Sequence, residues 1–153
     1  ETKSCIDDKA KIAGTGSVNV EALNELDVDL QGKSGGYGGI GVGNVDISNV
    51  IKKDTEAKIG QHAVVETTGK QEYQAFTKAK VNILGKGDAA AAAAISNVHV
   101  SNEMDIKNLA KQYAYSQLTT KNSKNDITLA SSSELDVNVH GVAEAKGVCV
   151  LND

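Results

Sequence analysis

The chain has 153 residues, about the length of one domain, and contains no Pro, no Trp and no Arg. Its 16 basic residues are all Lys and stand against 20 Asp and Glu, which gives a net charge of -4. With so few aromatic residues, the chain lacks the phosphate-binding and base-stacking surface of nucleic-acid-binding proteins. Its hydrophobic fraction of 40% is too high for a disordered segment, and no apolar run is long enough to cross a bilayer. We therefore expect a folded chain with no nucleic-acid partner and no membrane insertion.

The sequence repeats itself. Residues 26–32 (Leu-Asp-Val-Asp-Leu-Gln-Gly) recur as residues 135–141 (Leu-Asp-Val-Asn-Val-His-Gly), at an offset of 109. Residues 79–85 (Ala-Lys-Val-Asn-Ile-Leu-Gly) lie between them, at an offset of 53 from the first copy. A period of this length is typical of repeat proteins. We interpret the chain as one domain of nearly three copies, roughly residues 10–56, 57–109 and 110–153.

Within each copy, β-branched and other apolar residues alternate with polar ones. This period of two predicts strands with one buried and one solvated face. In chain order the predicted strands are residues 17–20, 26–30, 40–47, 63–66, 81–83, 95–100, 126–129, 135–139 and 147–151. Gly32, Gly85 and Gly141 close equivalent strands, which predicts bends at positive φ.

Two segments depart from this pattern. Residues 103–118 are compatible either with an amphipathic helix or with a strand, a turn and a second strand. The Ala-rich residues 88–95 would favour a helix on propensity alone. They align with the Gly-rich residues 35–43, however, and Gly is a poor helix former. We therefore expect an extended segment where only small side chains fit.

Short strands, small core residues, the absence of Pro and a long repeat predict a parallel β-helix, that is, a β-solenoid. With about 20 residues per coil, the chain would form about seven coils. An antiparallel β-sandwich is the alternative, but the chain lacks the Asn-Gly and Asp-Gly hairpin turns typical of one. Residues 1–4 are polar, unlike a signal peptide, and neither terminus resembles a cap. We expect a mature chain, an internal piece of a longer rod, or a subunit whose ends stack.

Several short segments of the sequence resemble those of a known group of proteins. Residues 57–60 (Ala-Lys-Ile-Gly), residues 63–69 (Ala-Val-Val-Glu-Thr-Thr-Gly) and the Gly-rich run leading into residues 44–47 resemble the repeats of very large secreted bacterial adhesins. These are filamentous-haemagglutinin-like and autotransporter passenger proteins, including leukotoxin-type giants. The resemblance covers roughly residues 10–150 and weakens at residues 10–12, after which part of the pattern is missing. It implies a right-handed parallel β-helix at the bacterial cell surface, attachment to host cells or other microbes, and no catalytic residues.

The residues themselves offer little catalytic chemistry. Some β-helices cleave acidic polysaccharides with clustered carboxylates and a basic residue. Asp27, Asp29, Asp46 and Asp136 are predicted on outer faces, but without Arg we interpret them as a solvated face rather than an enzyme site. The Gly-rich run lacks the Asp of calcium-binding repeats. We predict no catalytic residue, no metal site and no cofactor, and we expect the three scattered histidines, His62, His99 and His140, to be exposed.

Tyrosine and cysteine give the candidate contact residues. Tyr73 aligns with apolar residues and is predicted in the core, whereas Tyr37, Tyr113 and Tyr115 have no apolar counterparts. These three are candidate exposed contact residues, unless they pack under a loop.

The two cysteines are predicted near opposite ends of the rod. About six coils of roughly 4.8 Å separate Cys5 from Cys149, beyond the roughly 7 Å that a disulfide spans. Cys149 is then either a small core residue or, with Cys5, part of an intermolecular disulfide.

Three functions remain as hypotheses. The first is a structural and binding module of an extracellular surface adhesin, a rod that contacts a host or microbial surface protein or glycan. Its contacts would include the region 103–123. The second is a fibre subunit that self-associates end to end, with Cys links between subunits. The third is a β-helix enzyme acting on polysaccharides.

Overall fold

The computed structural model describes residues 1–122 and 126–152, which form eight strands and no helix. The all-β prediction is therefore confirmed. The bounds of the strands are β1 Thr2–Ile6, β2 Lys11–Ala13, β3 Val18–Ile59, β4 Val64–Thr67, β5 Gln71–Gln112, β6 Gln117–Thr120, β7 Ile127–Lys146 and β8 Cys149–Asn152.

The strands form two parallel sheets. One has the order β1-β3-β5-β7, with β8 also paired to β5, and the other has the order β2-β4-β6. The pairs β1–β3, β2–β4, β4–β6 and β5–β8 are all parallel. Parallel pairing confirms the predicted sheet type and excludes the antiparallel sandwich for these strands.

Paired residues in the sheets are separated in sequence by the repeat offset. Thr2 pairs with Thr55 in one sheet, and Val64 pairs with Gln117 in the other, so each residue pairs with its equivalent in the next repeat. This register does not fit the expected spacing of about 20 residues, on which the count of about seven coils depends. The physical reason is that β3 and β5 each continue for 42 residues, through Gly32 and Gly85, which the sequence predicts as strand ends.

The chain forms two compact units, each built from three successive segments. Unit 1 contains Glu1–Leu26, Lys52–Ala79 and Asp105–Leu135, and unit 2 contains Asp27–Ile51, Lys80–Met104 and Asp136–Asp153.

The core of unit 1 surrounds one buried aromatic ring. Ile6, Ile59, Val65 and Tyr73 pack together with Ala63 in this cluster. Tyr73 is fully buried, which confirms its predicted core position.

Unit 1 also contains a polar interior that the alternation did not predict. The hydroxyls of Thr55 and Thr77 lie 2.8 Å apart, and Thr77 donates to Asn108 Oδ1 at 2.6 Å. Asn108 in turn donates to Ser133 Oγ at 2.8 Å. The buried hydroxyls of Thr55 and Thr77 thus have partners in a chain of hydrogen bonds that ends at the exposed Ser133, so they avoid the cost of unpaired burial.

In unit 2, small residues allow facing segments to approach closely. A Cβ on Gly32 would lie 2.9 Å from the side chain of Val45, and one on Gly85 would lie 2.8 Å from that of Val98. Neither of these glycines nor Gly141 has positive φ, so the predicted bends are wrong. The requirement at Gly32 and Gly85 is space against a facing side chain.

The two ambiguous segments are both extended. The Ala-rich residues 88–95 belong to β5, as expected from their alignment with the Gly-rich run. Residues 103–118 contain the end of β5, a turn and the start of β6, so the helix alternative is wrong. Tertiary pairing in the parallel sheets overrides helix propensity at both places.

Candidate functional site

Three equivalent turns lie one above another in unit 1. They follow β1, β3 and β5 and precede β2, β4 and β6, so they occupy the same place in successive repeats. In each turn the N–H of the fourth residue points to the C=O of the first. The N–O distances are 3.2 Å for Ala10 to Asp7, 3.4 Å for Ala63 to Gly60 and 3.4 Å for Ser116 to Tyr113.

The third residue of each turn has left-handed backbone geometry. The φ angles are 61° at Lys9, 57° at His62 and 61° at Tyr115, and these three residues lie one repeat apart. We call them the turn column. A positive φ costs a residue with a side chain about 1–2 kcal/mol, and such residues cluster at functional sites. All three aligned residues adopt this unfavourable φ, although their side chains differ in chemistry.

Two rings of the turn column stack at the surface. The His62 and Tyr115 ring centroids lie 5.0 Å apart, with an interplanar angle of 6°. Backbone bonds hold the turns together, because Lys9 N–H donates to Gln61 O at 2.7 Å and His62 N–H donates to Ala114 O at 3.3 Å. The Tyr115 side chain nevertheless remains exposed, at 78% of its maximum. The result is a stacked, solvent-facing aromatic pair.

Tyr113 belongs to the same turn as Tyr115 and is half-buried. The ammonium of Lys111 lies 4.4 Å from the centre of its ring, a cation–π distance. Tyr113 also borders a surface cleft with Asp8, Lys58 and Gln61. Two of the three predicted contact tyrosines therefore share one turn, and one of them, Tyr113, borders charged and amide side chains.

Tyr37, the third predicted contact residue, lies in unit 2. It is 75% exposed and borders a groove with Lys86, Asp88, Glu144 and Lys146. Lys86 Nζ lies 3.7 Å from Asp88 Oδ2 within this groove. Tyr37 is thus an exposed ring in charged surroundings, a second candidate contact surface.

The structure describes the side chain of only one of the two residues predicted to form a disulfide, Cys5. Cys5 is a free, exposed thiol that donates to Asp7 Oδ1 at 3.4 Å. This hydrogen bond, followed by desolvation and the charge of Asp7, raises the pKa of the Cys5 thiol above its ordinary value. Cys149 pairs through its backbone with Ala93, but its side chain lies outside the described part of the chain. The intermolecular disulfide stays a prediction.

The described residues hold no cluster of three or more His, Cys, Asp and Glu side chains that could bind a metal ion. Within the same residues, no helix is long and apolar enough to span a bilayer. His62, His99 and His140 are all exposed, as expected.

The structure assigns His62 a stacking partner that sequence reasoning missed. The signal was available, because Lys9, His62 and Tyr115 share the repeat offset. Their different residue types concealed a shared backbone conformation.

No protein-family model, curated protein or solved structure matches this chain.

Proposed function

We propose that this chain is a binding module of a bacterial cell-surface adhesin, a right-handed β-solenoid whose stacked turns contact a surface protein or glycan of a host or microbe. In this proposal each coil takes one full repeat, and the parallel sheets form its walls. Solenoids of this kind use their side chains and loops as extended binding surfaces.

The observation that carries the proposal is the turn column. Exposed aromatic rings are favoured at interfaces because they bury a large area with little loss of side-chain entropy. The His62–Tyr115 pair is held by stacking and by a backbone hydrogen bond between its turns. A partner would therefore meet a preorganised surface rather than a mobile side chain.

The resemblance to large adhesin repeats supports the extracellular location and the attachment role. The parallel register and the exposed turns support the rod and its contact surface. An enzyme that cleaves polysaccharides would need clustered carboxylates and a basic residue as catalytic groups. This proposal assigns no residue a catalytic role.

The test is binding of the purified, fluorescently labelled chain to host cells, to bacterial cells and to immobilised glycans. The combined variant His62→Ala and Tyr115→Ala is expected to reduce binding about tenfold or more, since exposed aromatic anchors dominate small interfaces. Ile40→Ala removes an equally exposed apolar side chain in unit 2, 75% exposed and outside both candidate contact surfaces, and is the matched control, expected to bind as the parent does. Circular dichroism checks that each variant is folded.

Each result has a clear consequence. Protease treatment of the cells separates a protein partner from a glycan partner. Absence of binding to all three surfaces, or equal binding by the parent and the double variant, would overturn the proposal. Release of soluble sugar from the glycans would instead identify an enzyme.

A further inference from the structure

Unit 2 contains three neighbouring rows of side chains from successive repeats. The first row is residues 27–30 of β3, the middle row is residues 80–83 of β5 and the edge row is residues 136–139 of β7. Asn82 Nδ2 donates to Asp29 Oδ1 at 3.2 Å, and Asn138 Nδ2 donates to Asn82 Oδ1 at 3.1 Å. These two bonds set equivalent positions of the three rows beside one another.

No described strand pairs with the outer side of the edge row. Val81 and Ile83 of the middle row are buried. Val137 and Val139 of the edge row are 45% and 41% exposed, although they continue the same apolar pattern. Among the described strands, β7 is the last in the order β1-β3-β5-β7. An open strand edge with an apolar face is a template for another strand.

The polar side chains specify what such a strand must carry. Both asparagines donate towards the preceding row, so continuation of the ladder requires a donor directed at Asn138 Oδ1. Beside this ladder, the exposed residues Asp27, Lys80 and Asp136 share the same offsets and give the order acid, base, acid. A basic residue is the complementary neighbour for Asp136, because like charges opposite each other on strands are destabilising.

We infer that the edge row binds a parallel polypeptide strand that places a basic residue beside Asp136 and an amide donor beside Asn138. Apolar residues between them would cover Val137 and Val139. The middle row itself has this pattern, Lys-Val-Asn-Ile.

A second copy of this chain is a poor occupant. Its first row would place Asp27 beside Asp136, and it would place the carboxylate of Asp29, which has no N–H, beside Asn138. The edge therefore selects a partner strand and disfavours direct end-to-end stacking of identical chains. This inference does not depend on what the turn column binds.

The experiment changes the first row so that a second copy of the chain can supply the strand that the edge row is inferred to bind. The variant Asp27→Lys with Asp29→Asn gives the first row the pattern of the middle row. We expect its self-association, measured by sedimentation velocity, to be at least about tenfold tighter than that of the parent. The matched control is Asp46→Lys with Glu144→Gln, which makes the same change in net charge at exposed positions of unit 2 outside these rows. Adding Val137→Lys to the test variant blocks the edge row and is expected to restore the parental state.

Circular dichroism confirms folding before each measurement. If the lysine variant does not fold, Asp27→Asn with Asp29→Asn removes the same repulsion and is expected to produce a smaller increase. The inference is overturned if the parent associates as tightly as the variant, if no folded variant associates more tightly, if the control associates equally, or if Val137→Lys has no effect.

Discussion

Tyr73 is the largest fully buried side chain among the described residues. Its hydroxyl donates to Gln71 Oε1 at 3.0 Å, and Gln71 Nε2 donates to Thr119 O at 2.8 Å. The same amide donates to Thr67 Oγ1 at 3.1 Å. A chain with little aromatic volume thus places the one fully buried ring of its described residues within a polar network, which orients the ring in the core.

Tyr73→Phe is expected to lower the free energy of unfolding by about 1–3 kcal/mol, because it removes a partner from the buried Gln71 amide. Burial raises the pKa of Tyr73 to about 12, whereas an exposed tyrosine has a pKa of about 10. The protonated Tyr73 hydroxyl should therefore stabilise the parent fully below pH of about 10. This stabilisation should be lost as the pH rises towards 12, where the buried hydroxyl ionises. Urea unfolding across this range should show a smaller alkaline loss for the variant.

Tyr37→Phe is the control for Tyr73→Phe, because it removes a hydroxyl from an exposed ring. It should change the free energy of unfolding by less than about 0.5 kcal/mol. Equal stability of Tyr73→Phe and the parent at neutral pH would contradict the role assigned to the hydroxyl.

At the scale of a single turn, Gly60 is required by its neighbour in the preceding repeat. A Cβ on Gly60 would lie 2.5 Å from both the backbone N and Oδ1 of Asp8. Asp8 Oδ1 also accepts the N–H of Gln61 at 2.8 Å, so it cannot withdraw without losing that bond. Successive turns are therefore packed backbone against backbone.

Gly60→Ala is expected to destabilise the protein by about 1–3 kcal/mol, the usual cost of overpacking a tight site. Gly16→Ala is the matched control in unit 1, since no atom lies within 4 Å of the added Cβ. That control should be neutral or stabilising by up to about 1 kcal/mol, because Ala restricts the unfolded chain. Thermal unfolding of both variants gives the comparison, and similar effects at the two sites would refute the close-packing argument.

The all-β character was predictable because the alternation of apolar and polar residues survives substitution. Alternation marks which side chains face inward, and the offset between sequence copies equals the spacing between paired strands. The length of the strands was not predictable from glycine, because Gly85, predicted to close a strand, lies inside the continuous strand β5. There it allows a close approach to the Val98 side chain and makes no turn.

The turn column shows why the candidate site was only partly predictable. Tyr113 and Tyr115 stood out as tyrosines without apolar counterparts. Lys9 and His62 did not stand out, since left-handed turn positions usually contain Gly or Asn. The shared property is backbone geometry imposed by stacking of the turns, which residue type alone does not reveal.

For the molecule as a whole, pairing connects residues that are far apart in sequence. Each strand segment pairs with its equivalent in the next repeat, so a large loop must close before a sheet can gain its first contacts. Proteins dominated by such non-local pairs fold slowly. Slow folding commonly also arises from isomerisation of X–Pro bonds, but this chain contains no Pro.

We therefore expect slow refolding, on the order of milliseconds to seconds or longer, that is independent of proline chemistry. In double-jump experiments under reducing conditions, brief and prolonged unfolding should give the same refolding kinetics, because no slow isomers accumulate. Added prolyl isomerase should leave every phase unchanged. A phase that grows with time in the unfolded state would show that another slow process, rather than long-range strand pairing, limits folding.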